Sequence, residues 1–201
     1  MNPFASAIVC LCRSCSFTWP LLRLPLLKWK AYGARFGKVS SRKETIFGYK
    51  LHLLITLSGL ILDFELAPAN IPDLEAGVEL LQGHKQRVVI GDKGYVFAPA
   101  AKELWAKRRI RLLAMRRHNQ KAQHPPFLKR LLARWRPLIE TVNKQLADQF
   151  HIERNRVHSF GGLAMRLYTK LTAHTLLVYL NRLLGKHDLL SIKTLAYPQL
   201  A

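Results

Sequence analysis

Hydrophobic and polar positions alternate most clearly between Phe47 and Leu66. Phe47, Tyr49, Leu51, Leu53 and Ile55 alternate with Gly48, Lys50, His52, Leu54 and Thr56. That period of two predicts a strand with one buried face. Ser58-Gly59 marks a tight turn. Leu60, Leu62, Phe64 and Leu66 then alternate with Ile61, Asp63 and Glu65, so the two runs predict a β-hairpin. Lys50 and His52 share one face, and Asp63 and Glu65 oppose them, which predicts an exposed cross-strand charge pairing. A shorter apolar run, Val88-Val89-Ile90, is β-branched and stops at Gly91. It predicts a fully buried strand. Asp92 follows at once, just beyond the strand end, where an open α/β sheet places its chemistry.

Helical periods fill the rest. Pro68 ends the hairpin, and Asp73, after Pro72, is expected to cap a short helix over Leu74–Leu81 that Gly83 closes. Phe97–Lys107 predicts a helix and Arg111–Met115 a short strand. Pro137 suits either the first turn of a helix or a kink within a longer one. From it, Leu138, Ile139, Val142, Leu146 and Phe150 form one apolar stripe. Leu163–Leu184 predicts a long amphipathic helix stopped by Gly185. Its Arg166, Lys170, His174 and Arg182 exclude a membrane span, and His174 reads as a packing or surface histidine. This order argues an α/β sheet that begins with an antiparallel hairpin.

Residues 1–30 differ. Arg13, Pro20, Arg23 and Pro25 break their apolar pieces, and no period persists. The uncharged run before Arg13 is too short to cross a bilayer, and no good signal peptide is formed. Cys10, Cys12 and Cys15 lack a fourth ligand at zinc-site spacing and read as free thiols. Residues 1–44 are therefore expected to be an irregular or disordered segment outside the fold. A membrane-associating role for residues 1–30 is the weakest alternative.

Charge narrows the function. The chain has 201 residues, enough for one domain with a full core. Nearly half of them are apolar, which argues against disorder throughout. It carries 32 Lys and Arg against 12 Asp and Glu, a net +20, which points to a polyanionic partner, nucleic acid first. Between Ala101 and Arg136 lie twelve Lys and Arg and one acid, Glu103. Arg108, Arg109, Arg116, Arg117, Lys121, Lys129, Arg130, Arg136 and Lys144 are the candidate phosphate contacts. Trp105 and Trp135, within or beside this run, read as core residues before stacking residues.

Two acids stand out as candidate chemistry. Strand-end Asp92 and helix-borne Glu140 come from separate elements, as two-metal phosphoryl transfer requires. Taken alone, Glu140 also fits a surface ion-pair row with Arg136 and Lys144, one turn to either side. The stretches FGYKLHLLIT (47–56), LAPANIPD (66–73), GDKGY (91–95) and RPLIETVNKQL (136–146), in this order, resemble the catalytic domain of bacterial insertion-sequence transposases of the DDE type.

The resemblance implies an α/β fold of the ribonuclease H-like kind, a mixed sheet with flanking helices, over residues 45–185, with 186–201 as a tail. It implies three acids holding Mg2+ or Mn2+, with Asp92 as the second Asp and Glu140 as the Glu. It also implies DNA as partner (insertion-sequence ends and target), a homodimer in the DNA complex, no membrane, and a bacterial cytoplasmic, nucleoid-associated location. Arg136 fits the family's Tyr-x2-Arg-x3-Glu-x6-Lys pattern, whereas Ala133 and Ala147 replace its Tyr and Lys.

The first Asp belongs on the first strand, and no acid precedes Glu44. Asp63 and Glu44 do not stand at the matching place. A missing first strand, from a truncated or frame-shifted start, is therefore expected. With it goes either a defective transposase or a non-catalytic DNA-binding remnant that interferes with an intact one.

Overall fold

The computed structural model describes residues 8–18, 28–39, 44–91, 95, 98–114, 116, 123–154 and 157–196, the first of these segments by its backbone alone. Six strands form one sheet: β1 (Ile8–Thr18), β2 (Arg35–Val39), β3 (Glu44–Thr56), β4 (Ile61–Pro68), β5 (Val88–Gly91) and β6 (Arg111–Ala114). Five helices accompany them: α1 (Asp73–Gln82), α2 (Ala98–Arg108), α3 (Pro126–Asp148), α4 (Phe160–Leu183) and α5 (Lys193–Ala196). A helical turn over residues 28–31 precedes β2.

The hairpin forms as its period requires. β3 and β4 pair antiparallel from Tyr49↔Pro68 to Ile55↔Ile61, and Gly59 turns between them at φ +85°, a conformation that favours glycine. β1 lies between β3 and β5. It pairs antiparallel with β3 (Val9↔Thr56 to Thr18↔Gly48) and parallel with β5 (Ile8↔Val88 to Leu11↔Gly91). β5 in turn pairs parallel with β6, which ends the sheet.

The sheet thus reads β4-β3-β1-β5-β6, three antiparallel strands followed by two parallel to β1. The expected α/β, ribonuclease H-like arrangement is present. The expectation of a missing first strand is corrected: residues 8–18 form a central one. They lack the period-two signal because a strand paired on both sides, inside a sheet that carries helices on both faces, needs no polar alternation.

β2 is the other strand without a sequence signal. It pairs with the first half of β3, Arg35↔Gly48 to Val39↔Glu44. At Gly37 it passes so close to the chain that an added Cβ would stand 1.8 Å from the Ala69 carbonyl oxygen. Only glycine fits there.

Helices cover both faces. Leu51, Leu53 and Ile55 of β3 pack in the larger core with Ile139, Val142 and Leu146 of α3 and Leu163, Leu167 and Leu171 of α4. On the other face Leu54 packs with Leu80 and Leu81 of α1, Val89 of β5 and Leu104 of α2. The expectation of one buried face on β3 is corrected accordingly, since every residue from Ile46 to Ile55 is buried. Pro137 lies inside α3, and Pro126 opens that helix. Gly185, at φ +67°, follows the end of α4. No helix among the described residues is long and apolar enough to cross a membrane.

Candidate functional site

Lys50 and His52 were expected on an exposed face. Instead Lys50 is 4 % exposed and His52 fully buried. Lys50 Nζ donates to Asp73 Oδ1 at 2.8 Å and to the Ile71 carbonyl. Asp73 is the first residue of α1, and Pro72, which has no side-chain acceptor, holds the N-cap position. Asp73 thus pairs with a buried cation at the start of the helix. The hairpin pairing matches His52 with Glu65 in register and Lys50 with Ala67.

The GDKGY motif begins where β5 ends. Gly91 is buried, and a Cβ there would stand 3.1 Å from Tyr95 Cβ, so glycine lets Tyr95 fold back against the strand. Tyr95 is itself buried among Leu54, Val89 and Leu104. Its hydroxyl shares a 2.8 Å hydrogen bond with His52 Nδ1, and the two rings meet edge to face at 6.3 Å. The end of the central parallel strand is thus tied to the neighbouring antiparallel pair. Sequence reasoning missed this tie, although FGYKLHLLIT and GDKGY contain its two members. Asp92, the strand-end acid, lies outside the described residues.

Glu140 sits on the outer face of α3. Arg136 Nε donates to its Oε1 at 2.8 Å, with the two side chains 54 % and 62 % exposed. Lys144 is exposed one turn further on. Of the surface row the spacing allows, the Arg136–Glu140 pair is formed.

Of the stand-in acids, Asp63 accepts from the Phe64 amide at 2.8 Å and pairs with His84 Nε2 at 2.9 Å. Glu44 opens β3 opposite Val39. Nearby, burial first, and then the charges of Glu79 and Asp63, raise the Glu65 carboxyl above its usual range. Among the described residues no group of three or more His, Cys, Asp or Glu could hold a metal ion.

The basic candidates fall into two places. Arg108 (half-buried) ends α2, Arg109 (exposed) follows it, and Arg116, half-buried, follows β6. Lys129, Arg130, Arg136 and Lys144 are exposed along α3. Arg117 and Lys121 lie outside the described residues. Trp135 is half-buried, with Arg134 over its ring. Trp105 corrects the expectation of a core position: it is 45 % exposed.

A second buried polar group lies between α3 and α4. His174 Nε2 and Gln145 Oε1 are 2.9 Å apart, and Gln145 Nε2 donates to the Leu190 carbonyl. Asn181 Nδ2 donates to the Leu189 carbonyl at 3.0 Å. Burial pushes the His174 imidazole down to about 4, so it is neutral near pH 7. It is a packing histidine.

Compared with known proteins, no curated relative and no solved structure matches the chain. The family model described as "Transposase DDE domain" matches residues 22–160. That span covers more than two thirds of the chain and holds the hairpin, the GDKGY motif and α3. It begins after β1. On the strength of that match, and with a mixed sheet of the order described above, the chain belongs to the transposase DDE domain family.

Proposed function

We propose that this transposase domain binds insertion-sequence DNA and, as it stands, does not cut or join it. The observation that carries the proposal is β1. It occupies the centre of the sheet between β3 and β5, the strand on which the family resemblance places the first Asp. Its sequence, IVCLCRSCSFT, contains no carboxylate. Asp92 and Glu140 remain as the second Asp and the Glu. Losing one of three acids that stabilise a phosphoryl-transfer transition state should cost several kcal/mol, on the order of a thousandfold or more in rate.

DNA binding does not depend on those acids. Phosphate neutralisation by Lys and Arg releases counterions and works without base contacts. A net charge of +20 and the exposed cations of α2 and α3 support it. A remnant that competes with an intact transposase for the same DNA is the second reading, supported by the same surface.

Fluorescence anisotropy with a labelled duplex across a salt series tests the binding. Affinity should fall steeply and log-linearly with salt. Binding that stays flat in salt would overturn it.

A further inference from the structure

A patch at the edge of the sheet is built for more than charge. Trp105 stands on α2 with 45 % of its surface exposed. The guanidinium carbons of Arg109 and Arg111 each lie 5.5 Å from its ring centroid. Among the described residues no carboxylate pairs with either arginine. Glu103, the one acid of α2, is bonded to Lys107 at 2.7 Å. Lys102, three residues before Trp105, is exposed on the same side of the helix.

Arg109 has a φ of +56°, where glycine or asparagine sits freely and a long side chain costs of order 1 kcal/mol. Its amide donates to the Trp105 carbonyl at 3.0 Å. The chain thus holds an arginine, in a conformation that favours glycine, directly over an exposed indole.

The patch is also set apart from the GDKGY end of β5. Arg111 opens β6 and pairs in register with Val88, whereas Gly91, next to Asp92, pairs with Ala114. Arg111 thus stands at the opposite end of the two parallel strands from Gly91, and β6 is the edge of the sheet.

We propose that Trp105, Arg109 and Arg111 form a stacking site for an unpaired base of single-stranded DNA, with the two guanidiniums taking the flanking phosphates. A half-exposed indole offers a π-face to any base, and a guanidinium both stacks and bonds phosphate bidentately. A purely electrostatic surface has no use for the ring. The proposal rests on the transposase reading only for the choice of DNA over RNA.

The test uses the full chain and three probes: a labelled oligothymidine single strand, a duplex of the same length, and heparin, which has charge but no bases. Trp105→Ala should weaken oligothymidine binding about tenfold and leave heparin binding unchanged. Trp105→Phe should retain most of the oligothymidine affinity. Arg109→Gly should raise the melting temperature, because the backbone strain is relieved, while lowering the oligothymidine salt slope by about one.

If Trp105→Ala does not fold, fluorescence decides: oligothymidine must quench the wild type more than Trp105→Phe. Unchanged oligothymidine affinity in Trp105→Ala, an equal loss toward heparin, or equal quenching would overturn the proposal and leave the cluster as a helix-end contact. Flat salt dependence toward duplex with oligothymidine stacking intact would fail the DNA-binding reading above and not this one.

Discussion

The two faces of the sheet hold the same strand by different means. On one face of β3, Leu51, Leu53 and Ile55 pack among apolar side chains of α3 and α4. On the other, Lys50 and His52 are buried beside Leu54 and reach Asp73 and Tyr95. The apolar face needs volume and little direction. The polar face needs partners at fixed places, because a buried cation or imidazole left unmatched costs several kcal/mol. The partners are the first residue of α1 and the last residue of GDKGY. The polar face therefore fixes where α1 begins and where Tyr95 sits against the end of β5. Specific placement belongs to that face, and bulk stabilisation to the other.

Truncation should separate the two faces most strongly. Leu53→Ala opens a cavity in the larger core and should cost about 3–5 kcal/mol in chemical denaturation. Lys50→Ala should cost less, about 2–3 kcal/mol, because Asp73 is partly solvated, with 26 % of its side chain exposed. Lys50→Met should recover much of that loss by filling the space without a charge. If Lys50→Met is as damaging as Lys50→Ala, the site requires the ion pair with Asp73 rather than a filled volume.

The apolar face has one titratable exception, His174. Its folded value, about 4, lies below the usual 6.5, so the unfolded chain binds the proton first. Stability should be complete above about pH 6.5 and fall as pH drops toward 4, by up to about 3 kcal/mol. His174→Gln should flatten that part of the profile of denaturation midpoint against pH. An unchanged slope would place the pH dependence elsewhere.

How legible this was in the sequence follows the same division. The hairpin, β5, α2, β6 and α4 were readable because alternation, Gly91 and Gly185 report local geometry. β1 was not, because a strand between two partners in a covered sheet carries no alternation, and Arg13 and Pro20 obscured its limits. β2 is short and is held by the contact between Gly37 and Ala69, which is remote in sequence. Lys50 and His52 looked like surface charges since their partners, Asp73 and Tyr95, lie 23 and 43 residues away. Glu140 illustrates the converse. Its motif was readable, and so was the Arg136 pair that the structure shows beside it.

Outside both faces, the Arg136–Glu140 pair is an exposed helix pair. Arg136→Ala should change stability by no more than about 0.5 kcal/mol, measured as a shift in denaturation midpoint. A loss several times larger would show that Glu140 is held by more than solvent-exposed attraction.

The most direct measurement is strand transfer by the purified full chain, with pre-cleaved insertion-sequence ends, a target duplex, and Mg2+ or Mn2+. The account predicts salt-sensitive DNA binding with no joined product, because β1 brings no carboxylate to the centre of the sheet. Robust joining that disappears in Asp92→Ala would contradict it, and would mean that another acid, Asp63 first, supplies the missing role.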